Sequence, residues 1–249
     1  MNRKPCMLRA LIFDVDGTLA DTESAHRAAF NHAFAEFALD WQWDEPLYTE
    51  LLNVSGGKER IFHYWKSSHP GMRELGAGAL QDTVNRLHEL KTAAYEDAVN
   101  SGAVSLRPGV LTLMDAALAQ GLQLAIASTT SPVNIAALMR HAVGADWRLN
   151  FTAIGDASTA AIKKPHPQVY LQMLDALKLS GAQCLAVEDS SNGLRSASAA
   201  GIPTLITPNR YTEHHDFSAA MRVIPDLSHA ELAQLRAWHA QHRAATPKL

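Results

Sequence analysis

Five short apolar runs recur along the chain, and their length limits what they can form. LRALIF begins at Leu8, LQLAIAS at Leu122, CLAV at Cys184 and PTLIT at Pro203, with FTAI at Phe151 the weakest. None approaches the roughly 20 apolar residues that span a bilayer. Each reads as a strand buried on both faces, the pattern of a parallel sheet. Between them lie helical patterns of ten or more residues, such as VLTLMDAALAQ before Gly121 and PQVYLQMLDALKL before Ser180. Each stops at or near a residue that ends helices. Strand alternating with helix predicts an α/β fold whose ligands bind at the carboxyl ends of the strands.

Residues 22–104 break that rhythm. SAHRAAFNHAFAEFAL and ALQDTVNRLHELKTAAYEDAVNSG are long helical patterns without a convincing strand, and Trp41, Trp43, Tyr48 and Trp65 crowd the early part. The predicted architecture is a doubly wound, mostly parallel, Rossmann-like core built from residues 1–21 and 105–249. An all-helical cap, residues 22–104, is inserted after the first strand. GMRELGAGA, from Gly71, reads as a loop between cap helices, and the chain from Ser228 as a terminal amphipathic helix.

Composition excludes other classes. A formal net charge of -3 gives no electrostatic reason to bind nucleic acid or an anionic membrane. The two cysteines, Cys6 and Cys184, form no disulfide framework, and Cys184 reads as a small buried hydrophobe. A monomer in a reducing, cytoplasmic compartment is the expectation.

The first strand runs into Asp14-Val15-Asp16-Gly17-Thr18. Residues i and i+2 of an extended segment point to one side, so two carboxylates converge, and Gly17 lets the chain turn away. A calcium loop would need an acidic residue or Asn at its fifth position and Gly at its sixth; Thr18 and Leu19 stand there. A purely structural turn remains an alternative for the motif alone. Three further features argue for chemistry: Ser128 ends the second strand in ASTTS, Lys164 precedes Pro165 in KKPHP, and Glu188-Asp189 ends a later strand in LAVEDSSNG. In a parallel sheet such strand ends share one edge. Clustered carboxylates need a cation, and oxygen-only ligands suit Mg2+. The expected ligands are Asp14, Asp16 through its backbone carbonyl, and Asp189, with Glu188 either a fourth ligand or a group behind them.

These four elements, in this order, resemble the signature motifs of the haloacid-dehalogenase-like hydrolases. The resemblance implies that Asp14 attacks phosphorus and forms an aspartyl-phosphate. Asp16 would protonate the leaving oxygen, which requires it to hold a proton when substrate binds, and then activate water. Lys164, the Ser128 hydroxyl and backbone N–H groups near Gly17 and Thr129 would hold the phosphoryl oxygens. Lys163 is the competing lysine. Gln168 stands where the family commonly has Asp, and His166 reads as a surface-loop residue.

The helical insert resembles that of the β-phosphoglucomutase-like subgroup, and most closely that of CbbY-type sugar bisphosphate phosphatases. FDVDGTLADTESAHRAAF, LLNVSGGKERI, ASTTSPVN and VEDSSNGLRSASAAGIPTLITPNR carry the likeness. By position it implies that Glu23 and His26, three apart on one helical face, look onto substrate. Gly56, Gly57, Lys58 and Arg60 would form a second anion site where a cap loop meets a helix. Tyr48 is a further contact, or else cap packing. The implied substrate is a small phosphorylated sugar, xylulose-1,5-bisphosphate. A phosphosugar mutase, a phosphatase for another sugar phosphate, and a non-catalytic binding protein are the competing readings.

Overall fold

The computed structural model describes residues 7–68 and 77–245. Its sheet contains β1 (Ala10–Phe13), β2 (Gln123–Ala127), β3 (Ala153–Gly155), β4 (Cys184–Glu188), β5 (Thr204–Ile206) and β6 (Arg222–Val223), in the order β3-β2-β1-β4-β5-β6. All five pairings are parallel, so the "mostly parallel" expectation becomes wholly parallel among the described residues. The five apolar runs are the first five strands. β6 is two exposed residues, too short to leave a pattern.

The strands alternate large and small residues with the period of the pleat. Leu11, Phe13, Leu124, Ile126, Leu185 and Val187 face one layer, which contains α5 (Val110–Ala119), α6 (Pro132–Ala142) and α9 (Leu232–Ala245). Ala10, Ala125, Ala127 and Ala186 face the other, against Tyr170 and Met173 of α7 (Gln168–Leu177) and Ala197 of α8 (Ser191–Ala199). The small face lets α7 approach closely. A Cβ on Gly155 would lie 2.7 Å from Val169.

Between β1 and α5 come α1 (Glu23–Glu36), α2 (Glu45–Leu51), α3 (Gly57–Ser68) and α4 (Ala77–Asn100). Phe30, Phe34, Trp41, Trp43, Tyr48, Ile61, Trp65 and Leu87 form a further apolar cluster, which Tyr211 joins from the segment after β5. The chain leaves for these helices and returns side by side, through an antiparallel bridge between Ala20 and Leu106. Helix α2 was not legible because it has seven residues and carries Pro46; Asp44 caps it by accepting from the Leu47 N–H at 2.9 Å. The loop expected from Gly71 lies largely outside the described residues, as does Cys6. Its last residues, Ala77 to Ala79, are the first turn of α4 instead. The terminal helix starts at Leu232, four residues after Ser228. No helix among the described residues is long and apolar enough to cross a membrane.

Candidate active site

The register that pairs Phe13 with Ile126 on one side and Val187 on the other brings Asp14, Ser128 and Glu188 to one sheet edge. Beyond it the α6, α7 and α8 connections supply the other groups. The edge opens into a cavity of about 800 Å³, roofed by residues of α1, α3 and α4.

Lys164 is the hub of this edge. It is 6% exposed and its ammonium donates to Asp14 Oδ1 at 2.6 Å, Glu188 Oε1 at 2.6 Å and the Ala127 carbonyl at 2.8 Å. Burial works against its charge, but Asp14 and Glu188 outweigh burial and raise its pKa. Lys163 instead donates to the carbonyls of Ala157 and Ala160 at 2.8 and 2.9 Å. Of the two lysines, Lys164 is the one that reaches the carboxylates of the sheet edge. Tyr170, which the sequence did not single out, donates to Glu188 Oε1 at 2.6 Å.

Asp14, Glu188 and Asp189 are buried and can each place one oxygen within 4.8 Å of the others. Burial, moderated by Lys164, raises Asp14 to about 8, and burial with the neighbouring Asp14 and Glu188 raises Asp189 well above the carboxylate range. One ammonium thus leaves the three carboxylates under-compensated, and Glu188 Oε2 is buried without a hydrogen-bond partner among the described residues. Three buried carboxylates with a charge deficit and only oxygen donors fit a hard divalent cation such as Mg2+. The Asp16 carboxylate is not in this group, which leaves only its backbone carbonyl for the ligand role.

Asp16 turns toward the helical layer. Its Oδ1 accepts from Thr22 Oγ1 at 2.8 Å and pairs with His26 Nε2 at 2.8 Å, while His26 Nδ1 faces Lys91 Nζ at 2.8 Å. The consistent arrangement has Lys91 donating to Nδ1 and the Nε2–H donating to Asp16. Burial raises the Asp16 carboxyl, but His26, Thr22 and Lys91 outweigh it and hold it well below the usual range. Burial and Lys91 lower His26, and burial lowers Lys91 to about 8. In this arrangement the partners of Asp16 favour the carboxylate, so the proton that its expected role needs has to arrive with substrate.

Across the cavity, Tyr48 donates to Glu23 Oε2 at 2.7 Å and accepts from Arg60 Nη1 at 3.2 Å. Tyr48 is fully buried in the aromatic cluster and does not itself line the cavity; it reaches the site through Glu23. Arg60 is not a solvated cation on a helix face: Nε and Nη2 donate to the carbonyls of Leu51 and Val54, fastening the loop before α3. Lys58 is exposed and donates to Asn85 Oδ1 at 2.8 Å. Gly56 adopts φ +98°, and a Cβ there would run into the Glu59 carboxylate, which lies against the start of α3. Ser128 Oγ accepts from the Thr130 N–H at 3.1 Å, and Thr129 lines the cavity beside it. His166 is exposed as expected, and Gln168 Oε1 accepts from the Ile162 N–H at 2.7 Å.

The comparisons with known proteins agree with this geometry. A family model described as haloacid dehalogenase-like hydrolase matches residues 8–201. The chain belongs to this family. It is 50% identical to protein CbbY, plasmid, of Cupriavidus necator over 248 residues, covering 93% of this chain and 97% of that one. Protein CbbY of Rhodobacter capsulatus is 47% identical over 90% of this chain and 95% of its own. Among solved structures, CbbY from Rhodobacter sphaeroides in complex with phosphate superposes with a TM-score of 0.84 at 38% identity, over 92% of this chain and 99% of that one. A variant of that protein was solved with xylulose-(1,5)-bisphosphate, with the same scores. β-Phosphoglucomutase from Clostridium difficile, at 18% identity and TM-score 0.76, shares the fold. The chain is accordingly a phosphatase of the haloacid dehalogenase-like type, and the family and fold expected from the motifs stand.

Proposed function

We propose that the protein is a Mg2+-dependent phosphatase that hydrolyses a sugar bisphosphate, xylulose-1,5-bisphosphate, through an aspartyl-phosphate on Asp14. One observation carries the reading. A single cavity of about 800 Å³ is lined by the Asp14–Lys164 pair from the sheet edge and by Glu23, His26, Gly56, Gly57 and Lys58 from the insert. With a cation on the acidic triad, the Lys164 group would receive one phosphate and the Gly57–Lys58 start of α3 a second, with hydrogen-bonding groups for a sugar beside them. The 38% identical relative solved with that bisphosphate supports the choice of sugar.

Residues 22–104 act in this reading as the substrate-reading cap, and residues 1–21 with 105–249 as the catalytic core. Asp14, Asp189 and the Asp16 carbonyl would hold Mg2+, with Glu188 beside them. The ion would neutralise the carboxylates and the phosphoryl group that Lys164 alone cannot. Asp14 attacks phosphorus through the oxygen that Lys164 leaves free. Lys164 and the Ser128 hydroxyl steady the phosphoryl oxygens.

Asp16 supplies the proton for the leaving sugar oxygen. The chain Lys91 Nζ, His26 and Asp16 Oδ1 gives a route by which a proton reaches this carboxylate when substrate charge enters the cavity. The same Asp16 then takes a proton from the water that hydrolyses the aspartyl-phosphate.

The test is phosphate release from a panel of sugar mono- and bisphosphates by purified protein, with Mg2+ and with EDTA. Metal-dependent release favouring xylulose-1,5-bisphosphate is the expected result. Release from a different sugar phosphate would retire the substrate. Isomerised product without free phosphate would identify a mutase and overturn the hydrolytic reading.

A further inference from the structure

Glu23 stands between two cavities. Besides the main cleft it borders a second one of about 410 Å³, whose lining includes Ser24, Arg107, Asn209, Arg210 and Tyr211. Space on both sides means that the carboxylate keeps its orientation toward substrate only if something closes the rear. Tyr48 holds one oxygen at 2.7 Å. What holds Tyr48 and the start of α1 in turn comes from the other part of the chain.

Tyr211 lies in the segment after β5, yet its ring is buried in the aromatic cluster of the inserted helices. It meets Tyr48 edge-on at a centroid distance of 6.0 Å, and its hydroxyl lies 3.1 Å from Ser24 Oγ, next to Glu23 in the chain. Arg210 stacks on the ring at 4.7 Å and donates to both hydroxyls. Two residues earlier, Asn209 accepts from the Tyr211 N–H at 2.8 Å and donates to Asp189 Oδ2 at 2.7 Å. One short segment therefore touches the acidic triad at one end and the Glu23–Tyr48 pair at the other.

From this arrangement we infer that Tyr211 is a positioning residue for sugar selectivity, acting through Tyr48 and Ser24 to keep Glu23 aimed into the main cavity. The inference rests on the sugar-phosphate reading above. It separates Tyr211 from the phosphoryl-transfer groups, none of which it contacts.

The experiment compares Tyr211→Ala and Tyr211→Phe, each alone and combined with Glu23→Ala, on xylulose-1,5-bisphosphate and on p-nitrophenyl phosphate, which carries no sugar. The alanine variant is expected to raise KM for the bisphosphate about tenfold while p-nitrophenyl phosphate turnover stays within about twofold. Phenylalanine, which keeps the ring against Tyr48, restores KM to within about threefold, and in the Glu23→Ala background the alanine change adds less than about twofold. Should Tyr211→Ala not fold, Tyr211→Leu takes its place in the same cycle. Equal losses on both substrates, an unchanged bisphosphate KM, or an undiminished effect in the Glu23→Ala background would each overturn the inference. No phosphate release by the wild type would overturn the proposed function and this inference with it, whereas a normal wild type with one of those three results overturns the inference alone.

Discussion

Gly17 offers a test of whether the catalytic loop is shaped around the acidic triad. Its φ is +77°, and a Cβ would collide with Asp189 Oδ2 and approach Asn209 Nδ2 to 2.5 Å. Gly121 makes a matched control. It has φ +73° and nothing within 4 Å of a Cβ. An alanine in the left-handed region costs about 1–2 kcal/mol wherever it sits. Gly17→Ala must also displace Asp189 or break its 2.7 Å hydrogen bond from Asn209, and a buried acceptor left without its partner costs about 1–3 kcal/mol more. The expected destabilisation is therefore about 2–5 kcal/mol for Gly17→Ala against about 1–2 for Gly121→Ala.

The assay is urea unfolding followed by circular dichroism, with and without Mg2+. A cation at about 100 times its dissociation constant stabilises the folded state by about 2.7 kcal/mol. Wild type and Gly121→Ala should keep that increment, while Gly17→Ala should lose most of it because Asp189 has moved. If the two variants are equally destabilised and respond equally to Mg2+, Gly17 is an ordinary turn glycine and the argument for Asp189 as a ligand fails.

Asp14→Asn should lower phosphate release by at least about a thousandfold with the fold intact by circular dichroism; full activity would remove Asp14 as nucleophile. Lys164→Ala strands two buried carboxylates and should cost about 3–5 kcal/mol in thermal or urea unfolding, along with activity. Lys163→Ala loses two carbonyl contacts and should keep kcat within about tenfold. Lys91 titrates at about 8 in the folded state against 10.5 when exposed. The unfolded chain binds more protons between those values, so Lys91 opposes folding below pH 8 and stops doing so as pH rises to 10.5. Relative to Lys91→Met, wild-type stability should rise by about 3 kcal/mol across that window, read from urea midpoints; parallel curves would contradict the burial of its charge.

The sheet was legible because its strands are doubly buried and read as unbroken apolar runs, and the triad because strand ends of a parallel sheet must meet. Less visible were the residues that act through other residues. Lys91 did leave a trace, since it falls on the stripe Val84, Leu87, Tyr95 and Val99 that buries the face of α4. A lysine on an apolar stripe is paired or perturbed. Tyr170 left none, because an aromatic on the buried face of α7 looks like packing until its hydroxyl is found on Glu188. Thr22, Asn209 and Tyr211 were likewise hidden, since contacts between segments far apart in sequence have no local period. For Arg60 the residue was legible but its engagement was not: three of its five N–H groups already have protein acceptors.

The two carboxylates of the first motif, separated by a single residue, are governed by different parts of the molecule. Asp14 is held by Lys164, and the Lys164–Asp14–Glu188 set belongs wholly to the sheet edge and the connection from β3 to α7. Asp16 is held by Thr22, His26 and, through His26, by Lys91, all from the inserted helices or the residue that opens them. On the proposed mechanism, a nucleophile placed by the sheet edge and an acid placed by the insert would be in working register only while the insert stays over that edge. Asn192 of α8 bonds the Asn53 carbonyl at 3.0 Å and Ser55 Oγ at 3.2 Å across the mouth of the same cleft. Displacing the insert would leave Asp14 with its Lys164 partner but take from Asp16 its bonds to Thr22 and to His26, the group proposed to deliver its proton. In the proposed reading, chemistry would thereby be tied to whatever occupies the space between Glu23 and Lys164, where the sugar would be read.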